Sequence, residues 1–411
     1  LPYFLTKDYA AHDAKITSGV FDKLKPEFDA EFKPDLWEYE KKFIDVMRNI
    51  ERAGIKIDRD LCRIQAITGQ EVMEEIVDEI GWSPSSSLDL NKFLIQDMHF
   101  PTVKLTPKGK PSFDKTAMEE YDILLENAKS PVAKQVLRYR GWLKTVSSNY
   151  NPYLLLADAN DILHPNFKLH GTKTARMSCE KPNLQQIPRH TQKEWNGNLK
   201  AAFIPRQGKY LLDVDYSQLE LRLAAAYAKE EALIEIFNEG RDVFTEMADQ
   251  LSWDRYDCKT FVYATLYGGG VNRIKNLFGV TEDEARGMRS QFFQQYRNLK
   301  KISDFAAMLC KKDRYLEYWT GRRRHFLNPR EESHKAFNSL IQGGAFEIVK
   351  RAMIRLQKRV PDAKMVLQVH DSVVFEIDNG VDVTQRIIDE MTNVPEDFGV
   401  PFVVEAKLWN S

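Results

Sequence analysis

The stretch Asp215-Tyr216-Ser217-Gln218-Leu219-Glu220-Leu221-Arg222, entered from the apolar run Tyr210-Leu211-Leu212, constrains the fold more than any other part of the chain. A strand must end near Asp215 and hand over at once to a helix, which carries a carboxylate to a strand–helix junction. A metal-bound phosphate could be held at such a point. Residue by residue, Ser217 and Glu220 have the spacing of a capping box, and the apolar residues that follow have helical periodicity. That reading accounts for Ser217 and Glu220 but leaves Asp215 unexplained.

The chain has 411 residues, more than one hydrophobic core usually supports, so two or three subdomains are expected. Basic and acidic residues number 59 and 60, a formal net charge of −1, so a site for an anionic partner such as nucleic acid must be a local groove. Cys62, Cys179, Cys258 and Cys310 are scattered, without the paired spacing of a zinc site or the density of a disulfide framework. No apolar segment approaches the roughly 20 residues that span a bilayer, and Leu1 to Asp8 lack a basic region followed by an apolar core. A soluble protein of the cytoplasm is expected, without a membrane partner and with an organelle left open. Because the first residue is Leu1, a processed product or a fragment is expected, with something missing upstream.

Helical spacing covers about Leu36 to Arg52 and Leu61 to Ile80, with the short β-prone run Ile55 to Ile57 between them. Pro84 to Lys115 is mostly loop with one short helix near Leu90 to Met98, and Pro131 to Asn149 forms a helix rich in basic residues. A strand from Tyr210 to Val214 precedes helices to about Asp249, then one from Asp254 to Tyr267 stopped by Gly268-Gly269-Gly270, and one from Thr281 to Tyr296. Thr320 to Arg324 is a turn between extended runs, Ser333 to Arg359 a helix, and Met365 to Ile377 β-rich. Helical and strand-rich blocks are segregated, which predicts an α+β fold.

Within that last block, His370-Asp371-Ser372 interrupts two apolar runs and reads as a hairpin tip with an exposed carboxylate. Asp215 and Asp371, each at a strand end, could supply the pair of carboxylates that magnesium takes alongside waters and substrate phosphates. Nucleotidyl transfer needs two such ions about 4 Å apart. In the helix from Asp254, Arg255, Lys259, Tyr263 and Tyr267 recur at intervals of four and share one face. Two cations followed by two aromatics suit a triphosphate with a base beyond it.

Taken together, these motifs resemble family A DNA polymerases, the class of bacterial DNA polymerase I and many bacteriophage replicases. The Asp215 octet is similar to the family's first metal motif, and Leu367-Gln368-Val369-His370-Asp371 to the motif with the second metal carboxylate. The resemblance implies two Mg²⁺ ions held by Asp215, Tyr216 and Asp371. It also implies a fingers helix in which Arg255 and Lys259 bind the incoming dNTP, Lys259 acts in catalysis, Tyr263 faces the sugar and Tyr267 stacks near the templating base. Gln218 and Glu220 join the substrate site, and Glu220 would exclude a ribose 2′ hydroxyl. Thr172 to Ser178 with Pro182 to Pro188 resembles the primer-contacting block, in which Arg176 reaches the minor groove. Asn338, Gln342, His370, Arg140 and Lys144 match DNA-contacting positions. Primer–template DNA and dNTPs are the implied partners, with accessory proteins unknown.

The implied architecture is a right hand: an antiparallel-sheet palm at 151–240 and 326–411, helical fingers at 241–325 and a helical thumb at 41–150. Residues 1–40 would be the tail of a 3′–5′ exonuclease domain, because Tyr9-Ala10-Ala11-His12-Asp13 resembles that domain's last motif and its earlier acidic motifs are not in these residues. The compact spacing from Asp242 to Arg255 resembles bacteriophage replicases. Departures from the family pattern are Ser372 where a Glu is usual, Phe244 for a common His, Ala175 for Gly and His334 for Arg. The competing readings are a related enzyme that makes RNA, against which Glu220 argues, and an inactive duplex-binding module. Retention of Asp215, Asp371, Arg255 and Lys259 together argues against the second.

Overall fold

The computed structural model describes residues 3–31, 33–127, 130–187, 199–251 and 253–409. Its centre is a four-stranded sheet in the spatial order Val404–Leu408, Lys209–Tyr216, Ser372–Asp378, Lys364–Val369, with every neighbouring pair antiparallel. Strand Ser372–Asp378 is buried along its length except at Asp378, as expected for an apolar inner strand. The other described strands form small antiparallel sheets of two or three strands. Among the described residues, no helix is long and apolar enough to cross a membrane.

Among the described residues three apolar cores are present. The first joins the sheet residues Leu211, Val214 and Phe375 to Phe43, Val46, Trp142 and Tyr150. A second is built from Leu221, Phe261, Phe292 and Leu340, and a third from Leu90, Leu94, Phe113, Tyr121 and Val136. Two helices bridge the first two cores. Helix Ala336–Arg359 gives Phe337, Leu340 and Ile341 to the second core and Phe346, Val349 and Met353 to the first. Helix Leu219–Ala228, which follows Asp215, likewise gives Leu219 and Leu223 to one and Leu221 and Ala224 to the other. The strand–helix junction therefore lies where two separately packed bodies meet.

A buried ion cluster ties this junction region to the amino-terminal helices. Glu347 and Lys350 on helix Ala336–Arg359 are both essentially inaccessible. Lys350 Nζ donates to Glu40 Oε1 at 3.0 Å and Glu347 Oε1 at 3.3 Å, while Arg322 donates to Glu347 at 2.7 Å and also to Glu40. Such a cluster stabilises only as a set, since removing one member strands a charge in a dry interior. Close packing nearby depends on glycine: a Cβ on Gly343 would come within 2.1 Å of the Tyr318 ring.

The regular elements read from sequence recur within a few residues. Among the elements not anticipated are helices Tyr3–Glu31, Lys115–Asn127, Val271–Phe278, Arg297–Lys312 and Thr384–Thr392, short strands between 162 and 204, and the edge strand Val404–Leu408. One local expectation is overturned. Ser217 is not a capping residue: Gln218 occupies the N-cap position in left-handed conformation (φ 53°, ψ 35°), with no side-chain cap bond, and Glu220 is buried toward Arg176. The strand runs on to Tyr216, and Ser217 N–H donates to Val403 at 2.8 Å, so sheet pairing takes the group that a cap would have used.

Candidate active site

Backbone pairing brings Asp215 and Asp371 together. Ser372 is the cross-strand partner of Asp215, and one step beyond it Tyr216 N–H donates to the Asp371 carbonyl at 3.4 Å. Asp371 thus sits on a tight hairpin tip beside the end of the Asp215 strand. His370, exposed at that tip, has φ 54°, and Gln218 has φ 53°. A non-glycine residue held in this region costs about 1 kcal/mol or more and needs surrounding structure to fix it. At His370 a side-chain relay supplies part of that: Gln185 donates to Gln368 at 2.8 Å, and Gln368 donates to the His370 carbonyl.

Arg176 links the hairpin to the helix after Asp215. Its Nη2 donates to Asp371 Oδ1 at 3.2 Å and to Glu220. Burial alone would lower the Arg176 guanidinium pKa, but Asp371 and Glu220 reverse this and raise it. The Glu220 carboxyl moves upward chiefly because it is buried, with Arg176 opposing the shift and Asp371 adding to it. Tyr267 also hydrogen-bonds to Glu220, so the Tyr267 ring and the primer-block arginine converge on one carboxylate.

Across from this cluster, helix Arg255–Leu266 starts at Asp254, whose side chain accepts from Tyr256 N–H. Arg255 grips Asp242 with two bonds, Nε at 3.1 Å and Nη2 at 2.8 Å, and Gln218 Nε2 donates to the same carboxylate at 3.3 Å. Lys259 is exposed one turn on. The rings of Phe244, Tyr263 and Tyr267 then form a row, with centroid separations of 5.9 and 5.7 Å. The helix stops where Gly268 takes φ +78°, and a Cβ there would lie 2.1 Å from the His334 carbonyl. Only glycine allows that approach without strain.

The model of DNA polymerase family A matches residues 62–411. The chain belongs to DNA polymerase family A. Similar proteins include the thermostable DNA polymerase I of Thermus thermophilus, 31% identical over 89% of this chain and 47% of its own length. That of Thermus aquaticus is 29% identical over 96% and 50%, and DNA polymerase I of Streptococcus pneumoniae 30% identical over 83% and 42%. The chain thus spans about half the length of the curated relatives it matches. The POL domain of Pol1 from M. smegmatis, solved in complex with DNA primer-template and dNTP, superposes with a TM-score of 0.81 at 25% identity, covering 90% of this chain and 70% of that one.

In this family A member the remaining candidate residues fall in different surroundings. Asn338 and Gln342 are partly exposed, one turn apart on helix Ala336–Arg359. Tyr216 buries its side chain, and its hydroxyl donates to the Met391 carbonyl at 2.6 Å, so only its main chain could reach a metal. Lys144 is exposed on helix Val132–Thr145, whereas Arg140 on the same helix donates to the carbonyls of Pro84 (3.2 Å) and Phe113. In the described state Arg140 therefore braces a loop, and burial lowers its pKa. Sequence reasoning passed over two site residues. Gln368 was quoted only as part of a motif, and Asp242 only as a spacing mark. The placement of Asp242 three residues before Thr245 is a helix-start signal, but nothing local shows its pairing with Arg255.

Proposed function

We propose that this chain is a DNA-directed DNA polymerase. The primer 3′ oxygen attacks the α-phosphorus of a dNTP in line; the new O–P bond forms as the bond to the β-phosphate bridging oxygen breaks, the hydroxyl proton is released and pyrophosphate leaves. The observation that carries this reading is the meeting of Asp215 and Asp371 on adjacent strand ends, with Arg255 linked through Asp242 to Gln218, three residues after Asp215.

These residues fit Mg²⁺. Two carboxylates and a main-chain carbonyl suit an ion that completes its shell with water and substrate phosphates, and among the described residues there is no group of three or more His, Cys, Asp or Glu that would make an all-protein cage. Once bound, two ions would lower the pKa of the 3′ hydroxyl and neutralise the leaving pyrophosphate. The protein's own part is orientation. Arg255 and Lys259 hold the triphosphate, Tyr263 and Tyr267 bound the sugar and base, and Glu220 fills the space a 2′ hydroxyl would need. Motion of the Arg255–Leu266 helix toward the sheet would complete the site only around a matched pair.

The palm, fingers and thumb ranges given above are proposed with one refinement: residues 43–66 and 142–150 share the sheet's core, so the thumb is rooted in the palm. Kinship to bacteriophage replicases rests on the Asp242 to Arg255 spacing, and a tree built on residues 62–411 tests it. Absence of proofreading from these residues is proposed because two carboxylate clusters are needed to hold nuclease metals and only Asp13 of those motifs is present in them, exposed on helix Tyr3–Glu31. Release of a mismatched 3′ nucleotide without dNTPs would overturn that. The main test is primer extension with Mg²⁺ and four dNTPs. Template-complementary extension is expected, and duplex binding without extension would leave only a binding module.

A further inference from the structure

Asp242 accepts hydrogen bonds from three residues, Gln218, Thr245 and Arg255, yet neither the metals nor the nucleotide call for it. Its Oδ1 accepts from Thr245 N–H at 2.8 Å and Thr245 Oγ1 at 3.0 Å, the bonds of a helix N-cap ahead of helix Val243–Leu251. The carboxylate also takes the Nε–Nη2 edge of Arg255 and the amide of Gln218. Burial would raise its pKa, but Arg255 and Thr245 more than offset this and hold it below the ordinary value. Capping requires only an oxygen, whereas a two-bond grip on a guanidinium uses the charge.

We propose that Asp242 is a positioning residue that aims Arg255 and Gln218 at the phosphates of the incoming nucleotide. This rests on the polymerase reading and deepens it. A guanidinium has five N–H donors, and Asp242 engages one on Nε and one on Nη2, leaving both hydrogens of Nη1 and one of Nη2 for a phosphate. Arg255 is more than half exposed, and an arginine so placed would otherwise sample many rotamers. Fixing it beforehand removes ordering entropy that nucleotide binding would have to supply. Gln218 lies three residues after Asp215, at the N-cap position of the helix that follows its strand, so one carboxylate couples the end of the proposed metal-bearing strand to the first turn of the proposed triphosphate helix.

The test separates aiming from capping. Asp242→Asn keeps a good N-cap oxygen and removes the charge. The full chain on primer–template is assayed in steady-state dNTP titrations as wild type, D242N, R255A and the double variant, with melting temperature and primer–template Kd measured alongside. D242N is expected to raise KM for dNTP about tenfold while kcat changes little, and to add nothing in the R255A background. Melting temperature and DNA affinity should stay at wild-type values. A fall in KM would show that the carboxylate competes with phosphate, and would overturn the proposal. Unchanged KM, or effects that add in the double variant, would overturn it as well. If D242N melts early, Asp242→Ser, which also caps, must give the same KM rise. Wild-type protein that extends no primer defeats the polymerase reading itself, whereas normal KM in R255A defeats the role of Arg255 and this inference with it.

Discussion

The two carboxylates and the two cations of the proposed site are held in different ways. Asp215 and Asp371 are fixed by main-chain pairing: a ladder from Lys209 to Asp215 against Ser372 to Asp378, and a hairpin tip braced by Gln368. Arg255 and Lys259 stand exposed on a helix, and Arg255 is held through side chains, the Asp242 carboxylate and the Phe244 ring. A one-residue slip of a backbone ladder moves every side chain to the opposite face, so the proposed metal ligands are held by pairing that does not need substrate. Side-chain grips exchange partners at little cost. The rigid half suits chemistry that tolerates no displacement, and the adjustable half suits a step that must accept four bases and release pyrophosphate.

Breaking the rigid half should have the largest effect. Asp215→Ala and Asp371→Ala are each expected to lower kcat for nucleotide addition about a thousandfold or more, with primer–template Kd near wild type, because the ligands act on the reacting atoms. Near-normal extension by either variant would remove it from the metal site. Asp213 would be the first substitute to test, since it shares the strand face and lies by Lys200, at 3.8 Å.

That asymmetry also decides what was legible in the sequence. Asp215 and Asp371 could be read because apolar strand runs, and the polar interruption at His370-Asp371, are patterns that local residues carry. Helix Arg255–Leu266 and its four-residue spacing were legible for the same reason. The contacts that bind the halves together were not. Glu220 looks like a capping residue until Arg176, 44 positions earlier, is folded onto it. The Gln185–Gln368 bond spans 183 positions and the Arg322–Glu40 pair 282, separations at which no periodicity survives. Arg140 carries a related lesson: the family resemblance assigns it to DNA, and in this state its bonds to the carbonyls of Pro84 and Phe113 give it a bracing role.

The adjustable half should yield selectivity effects without loss of chemistry. Tyr263 lies between the rings of Phe244 and Tyr267, one turn past Lys259, where its hydroxyl can fill the space left by a missing 3′ hydroxyl. The wild type should accept 2′,3′-dideoxynucleotides readily. Tyr263→Phe should raise discrimination against them by about a hundredfold, at little cost with dNTPs. Equal ddNTP to dNTP efficiency ratios for the two proteins would make Tyr263 a packing residue and undo the orientation given to the helix.

Glu220 belongs to both halves, and its removal should have a smaller effect. Glu220→Ala opens space for a 2′ hydroxyl and is expected to raise the rNTP to dNTP efficiency ratio about tenfold. Because the change also leaves Arg176 with Asp371 as its remaining carboxylate partner of the two, primer binding should be measured in parallel. A ratio that stays constant would place sugar selection elsewhere.

Ser372 offers the smallest effect and the finest probe of the rigid half. It is the direct cross-strand partner of Asp215 and nearly buried, and Glu405 faces Asp215 from the strand on the other side. A Glu at 372 would add a third carboxylate to that row, and like charges directly opposite one another destabilise a sheet. Ser372→Glu should therefore melt a few degrees below wild type in chelator. Mg²⁺ or Mn²⁺ should relieve the repulsion, so added metal raises the variant's melting temperature more than the wild type's, by mass action on the folded state. The optimum metal concentration for extension should shift with it, while activity persists, since Asp215 and Asp371 remain. If metal raised both melting curves equally and both titrations of activity coincided, the residue at 372 would not sense the ions, and the metals would have to be sought further along the Asp215 strand than the register implies.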